Sequence, residues 1–170
     1  MLKKSFRRLA TATVLTSAAA IGVAQPASAQ PGVIELPAGQ GCADFGIRLE
    51  IGETNRNTRE FTDKSGNLIR LLETGRSESV VFTNLSDETK TFTVRSRGTA
   101  TKSTPIPGTN DFTREVSGHF VLVLFPEDNP TGPSSTLFAG RVVFIDAADG
   151  PDTLVEAKGK QTDICAQLAS

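Results

Sequence analysis

The chain has no Trp, no Tyr, one His, two Cys and one Met among 170 residues, and each scarcity excludes a chemistry. One imidazole and two thiols cannot supply a four-ligand zinc site of the His/Cys type. Any Ser-His-Asp or Cys-His mechanism would have to run through His119, and there is no Gly-x-Ser-x-Gly elbow. Sugar clefts are usually floored by Trp and Tyr, so their absence argues against carbohydrate binding. Glycosidase chemistry would rest on paired carboxylates alone. Lys+Arg number 18 against 19 Asp+Glu, with no basic run to follow a phosphate backbone, so nucleic acid is not an expected partner. No apolar run reaches the roughly 20 residues of a membrane span. What is present, 38% hydrophobic and 22% charged residues, suffices for one folded domain.

The first residues read as an export signal. Lys3, Lys4, Arg7 and Arg8 precede the uncharged, Ala-rich stretch Leu9 to Val23. Pro26 then breaks any helix, and Ala27-Ser28-Ala29 is a small-x-small cleavage site. No cysteine sits at the cleavage point to take a lipid. The expectation is Sec export, cleavage between Ala29 and Gln30, and a secreted single domain over residues 30–170. Removing the four basic residues of the signal leaves 14 Lys+Arg against 19 Asp+Glu, a net charge of −5. That charge favours solubility over anionic surfaces.

Cys42 and Cys165 lie near opposite ends of that domain, in an oxidising compartment, without Cys-x-x-Cys spacing. A structural disulfide follows more naturally than two redox-active thiols. The bond would close a loop of about 124 residues, for which chain entropy gives roughly 5 kcal/mol.

Periodicity is β almost throughout. Phe45, Ile47, Leu49 and Ile51 alternate with Asp44, Gly46, Arg48 and Glu50, the period of a half-buried strand. Strands at 59–63 and 68–72 flank Lys64-Ser65-Gly66-Asn67, and strands at 79–84 and 91–95 flank Leu85 to Thr89, giving two hairpins. Arg97 to Thr104 is polar and runs into Pro105 and Pro107, so it reads as at best an edge strand. Phe112 to Val116 resumes the pattern. Phe120 to Phe125 and most of Leu137 to Ile145 are apolar on both faces and belong in the middle of the fold. Pro126 to Ser135 must be a loop, with Glu127-Asp128-Asn129 as its solvated tip. Thr153 to Ala157 is a short strand, and Asp163 to Leu168 one helical turn capped by Thr162. Nine or ten strands spaced 8–12 residues apart predict an all-β fold. An antiparallel β-sandwich is the first choice and a small closed β-barrel the alternative.

Candidate site residues are few. His119 opens the most apolar strand, on the face of Val121, Val123 and Phe125. It reads either as a strand-end histidine bonded to water or backbone, or as a ligand contact. Ser117 shares its face about 7 Å away, beyond direct contact for short side chains. Arg70 and Arg141 each interrupt an apolar strand and must either snorkel to solvent or line a polar pocket. Arg141 and His119 mark where such a pocket would lie. Asp146, Asp149 and Asp152 ring a turn and form a weak calcium candidate, although the spacing is not that of an EF-hand and the turn is ordinary hairpin punctuation. Asn84-Leu85-Ser86 is a formal glycosylation sequon, set aside because the signal looks bacterial. No cofactor is called for.

Several segments together resemble a set of small secreted actinobacterial β-rich proteins of uncharacterised function. They are the Ala-Ser-Ala signal end, Gly41-Cys42-Ala43-Asp44-Phe45, Phe61 to Asn67, Val81 to Asn84 and Gly118-His119 with its apolar strand. Phe125-Pro126, Gly132-Pro133-Ser134, Gly140-Arg141-Val142 and Asp163-Ile164-Cys165-Ala166 complete the set. The resemblance implies an actinobacterial, extracellular origin and a compact single domain, and it brings no activity, cofactor or partner to any position. Three functional readings stand. The leading one is a non-catalytic secreted domain binding a small molecule, a cell-wall component or a protein partner. A hydrolase using carboxylates and His119 is second, and a structural or surface-associated protein third. Ligand identity and oligomeric state are left open.

Overall fold

A computed structural model describes residues 32–170. The export signal and its cleavage point lie outside these residues. Ten strands and a short helix follow in order: β1 (Gly32–Leu36), β2 (Ile47–Ile51), β3 (Asn55–Thr62), β4 (Leu68–Arg76), β5 (Val80–Asn84), β6 (Asp87–Val94), β7 (Gly98–Pro105), β8 (Phe112–Leu124), β9 (Ser134–Asp146), β10 (Thr153–Asp163) and α1 (Ile164–Ala169). They form two antiparallel sheets. One has the order β1-β2-β5-β6 and the other β10-β9-β8-β7-β4-β3. The architecture is two-sheeted and sandwich-like, and no barrel closure is seen among the described strands.

The first sheet buries the alternate residues Ile47, Leu49, Phe82 and Val94. These pack with Val121 of β8, Leu137 of β9, and Ile164 and Leu168 of the helix. On the opposite face of β8 and β9 lies a second core of Val116, Leu122, Leu124, Phe138, Val142 and Phe144. Apolar residues on both faces of β8 and β9 thus serve two cores. A fully buried Phe or Leu contributes about 1.5–3 kcal/mol to either.

The second core forms because the six-stranded sheet folds over itself. Gly118, Gly140 and Gly159 are register partners across β8, β9 and β10, and Gly75 continues the row two strands away through Thr99. All four have positive φ, from 108° to 157°, a region that L side chains avoid. A Cβ at Gly140 would come within 2.1 Å of the Lys158 carbonyl oxygen, and one at Gly118 within 2.4 Å of that of Gly98. The consequence is visible in Phe120 and Phe144. Phe144 is paired with Arg114, six residues from Phe120, or roughly 20 Å along a flat strand. Their rings nevertheless stack with centroids 5.6 Å apart.

Several expectations need correction. Phe112–Val116 and the expected strand from Phe120, as far as Leu124, are parts of one 13-residue strand, because Gly118 bends the ladder without breaking it. The polar run expected at an edge is β7, which lies inside the sheet between β4 and β8. It is tolerated there because Thr99, Thr101 and Ser103 turn onto the concave face of the fold and Pro105 occupies its last position, where a missing donor costs least. The helix is capped by Asp163, whose Oδ1 accepts from Ala166 N at 3.0 Å, and not by Thr162. Asp128 is not a solvated tip. It is buried and accepts from Phe125 N and Asp152 N, each at 2.7 Å, pinning the 126–133 loop to the β9–β10 turn. Asn84 is also buried, donating from Nδ2 to the Leu168 carbonyl at 3.3 Å.

Cys42 and Cys165 are bonded, with Cα atoms 5.6 Å apart. The bond fixes the C-terminal helix against the segment preceding β2, and Cys42 lies within the first core.

Candidate functional site

The ladder between β7 and β8 ends at Thr99 and Gly118. Beyond it, β8 from His119 to Leu124 is paired only with β9 among the described strands. Beside this open stretch, between the two sheets, is a cleft of about 340 Å³. Leu49, Ile51, Val80, Phe82 and Val94 of the four-stranded sheet line one wall, and Phe120, Val121 and Val123 of β8 line the other. Four polar side chains join them: Arg56, Ser77, Glu78 and His119. Ser77 and Glu78 belong to the short crossing from β4 to β5, where the chain passes from one sheet to the other.

Arg56 lies opposite Gly75 in the β3–β4 register. One terminal nitrogen donates to Glu78 Oε2 at 3.3 Å, with both side chains largely buried. Its Nε is buried without a partner. Ser77 Oγ accepts from Arg97 N at 3.2 Å.

Arg56 and Phe120 also border a second cavity, of about 260 Å³, on the concave face of the folded sheet. Arg114, Thr101, Asp146 and Asp152 add polar groups to it, and Val116, Leu122 and Phe144 add apolar ones. Arg114 is paired with Asp146, yet its Nε too is buried without a partner. Burial raises the Asp152 carboxyl above the usual range, and the nearby Asp146 and Asp128 charges add to this.

His119 therefore lines the inter-sheet cleft, and the alternation with Val121 and Val123 is as expected. Arg141 is not brought to it. Gly140 and Gly118 bend the sheet between the two, and Arg141 lies in a row of alternating charges on the outer face. There its Nε donates to Glu115 Oε1 at 2.7 Å and its Nη1 donates to Glu156 Oε2. Lys102 Nζ reaches Glu115 Oε2 at 2.7 Å and Lys158 bonds Glu156, so the row crosses four strands. Arg141, then Lys102, hold Glu115 down to a pKa of about 2. Arg70 lies elsewhere again, its guanidinium 4.0 Å from the centre of the Phe61 ring, a cation–π contact. Asp146 is committed to Arg114, and Asp152 Oδ1 accepts from Ala147 N at 3.1 Å. Among the described residues no group of three or more His, Cys, Asp or Glu is placed to hold a metal ion.

Arg56 and Glu78 escaped the sequence reading. Arg56 falls in Asn55-Arg-Asn-Thr-Arg-Glu60, which has no apolar alternation to reveal a strand, and Glu78 in a three-residue crossing. Neither carries a local signal, because the cleft is created by where two sheets part. Compared with family models, curated proteins and solved structures, the chain matches none.

Proposed function

We propose that the protein is a secreted, non-catalytic binding domain that takes the apolar body of a small molecule into the cleft between its sheets. The observation that carries this reading is the cleft itself: eight apolar side chains and four polar ones around about 340 Å³. That volume and composition match small-molecule sites, which run from roughly 300 to 1,000 Å³. The export signal and the resemblance to secreted actinobacterial proteins support an extracellular setting, and the terminal disulfide suits it. Binding is favoured over hydrolysis because Glu78, the carboxylate sharing the cleft with His119, is engaged by Arg56.

A neutral apolar fluorophore, N-phenyl-1-naphthylamine, tests the reading. Its emission should rise on mixing with the protein, with saturation at one site. Val121→Phe and Val123→Phe, each filling the cleft, should weaken binding at least about tenfold, because the added ring occupies the space the ligand needs. The melting temperature should stay within a few degrees. Absence of saturable emission from the unaltered protein would contradict the proposal.

A further inference from the structure

We infer that the ligand of this cleft is an acid, with its carboxylate received by Arg56 and the neighbouring concave face, and its apolar body lying between the sheets. The inference rests on the cleft being a binding site and names the chemistry that the site selects.

The described chain leaves three buried side-chain polar atoms without a partner: Arg56 Nε, Ser103 Oγ and Arg114 Nε. All three come from one region. Ser103 and Arg114 are register partners on β7 and β8, and Arg56 and Arg114 line the same concave cavity. Buried polar atoms are rarely left unsatisfied in folded proteins, and such a group calls for an explanation such as a bound water or ion. Two of the three are guanidinium donors, whose partner must be an acceptor. A guanidinium presents five N–H donors in a planar fork that a carboxylate fits edge-on. Arg56 uses one nitrogen toward Glu78, at a long 3.3 Å. An amine would meet carboxylates that already have partners, Glu78 with Arg56, Asp146 with Arg114 and Asp152 with Ala147 N, and would leave both Nε atoms unpaired.

On the concave cavity Arg114 is paired with Asp146, and Asp152 Oδ1 accepts from Ala147 N. Of the two guanidiniums there, Arg56 has the longer contact to its carboxylate, 3.3 Å to Glu78 Oε2. Because Arg56 and Phe120 are walls common to both cavities, an acid group at Arg56 can trail an apolar chain past His119 and Val121 into the cleft.

The test compares octanoate, octan-1-ol and octylamine as competitors of N-phenyl-1-naphthylamine on the full secreted chain. Octanoate should bind about tenfold more tightly than octan-1-ol, the scale of a charge-assisted hydrogen bond, and octylamine no better than the alcohol. Arg56→Met should erase the preference for the acid, read as the ratio of octanoate to octan-1-ol affinity in the same variant. Glu78→Gln, which frees Arg56 without removing packing, should strengthen octanoate several-fold and serves if the Arg56 variant does not fold. Equal binding of acid and alcohol by the unaltered protein overturns this inference and leaves the cleft standing. Octanoate affinity indifferent to both substitutions also overturns it. Failure of the fluorophore itself to bind overturns the cleft reading instead.

Discussion

Glu115 shows how single side chains set the acid limit of this fold. It is held between Arg141 and Lys102, which bring its pKa to about 2 from an ordinary 4.5. A carboxylate lowered on folding stabilises the native state above its unfolded value and loses that contribution as pH falls toward the folded one. Glu115→Gln should therefore cost about 1 kcal/mol near pH 7, as expected for a partly exposed ion pair. The gap between variant and parent should close between pH 4.5 and 2. Melting temperatures of both proteins across that range decide it. A constant gap would place the stabilisation in packing. At this scale the sequence was only partly legible. Alternation assigned His119 to the face of Val121 and Val123, because a strand's period decides which face a residue takes. Arg141 was expected to snorkel out or line a pocket, and the structure gives it two carboxylate partners on neighbouring strands. Asp128 looked like solvated punctuation, since nothing local reveals that its carboxylate will meet the amides of Phe125 and Asp152.

Among the elements, the glycine row is the feature on which the most structure depends. In the sequence Gly118 stands just ahead of an apolar run and Gly140 stands inside one. Their alignment across β8, β9 and β10 depends on register, which no single strand encodes. That alignment folds the larger sheet and makes both the second core and the concave cavity. Gly140→Ala should destabilise the protein by roughly 3 kcal/mol or more, since the added carbon meets backbone within 2.1 Å and the φ of 157° favours glycine. Gly108→Ala has φ +82° but open space around it and should cost only about 1–2 kcal/mol. Urea denaturation of the pair separates the two effects, and equal losses would show that the bend does not depend on close strand approach. Strand positions were otherwise largely readable. The Asp63–Asn67 turn came through because Asp63 Oδ1 accepts from Ser65 N and Asn67 N at 2.8 and 2.9 Å, a local pattern. β7 did not, because only its neighbours explain how a polar strand can lie inside a sheet.

For the molecule as a whole, the disulfide and the cleft carry the account. Cys42 lies in the core with Ile47, Ile164 and Leu168, so Cys42→Ala/Cys165→Ala removes both a cross-link and packing. A loss of about 2–5 kcal/mol is expected. An unchanged guanidinium midpoint would mean that the helix docks without its tether. Strand spacing anticipated an all-β fold with a sandwich as first choice and a barrel as alternative, and the structure has two sheets without barrel closure among the described strands. The cleft could not be anticipated, because it exists only where β7 leaves β8 and the chain crosses to the other sheet. Its occupancy is best tested by methyl-resolved NMR during titration with octan-1-ol, which probes the apolar walls independently of any charge. Shifts should concentrate at Leu49, Val80, Val94, Val121 and Val123, the cleft residues. Shifts spread instead over the exposed Val33, Ile34, Ile69 and Val155 would contradict a ligand bound between the sheets.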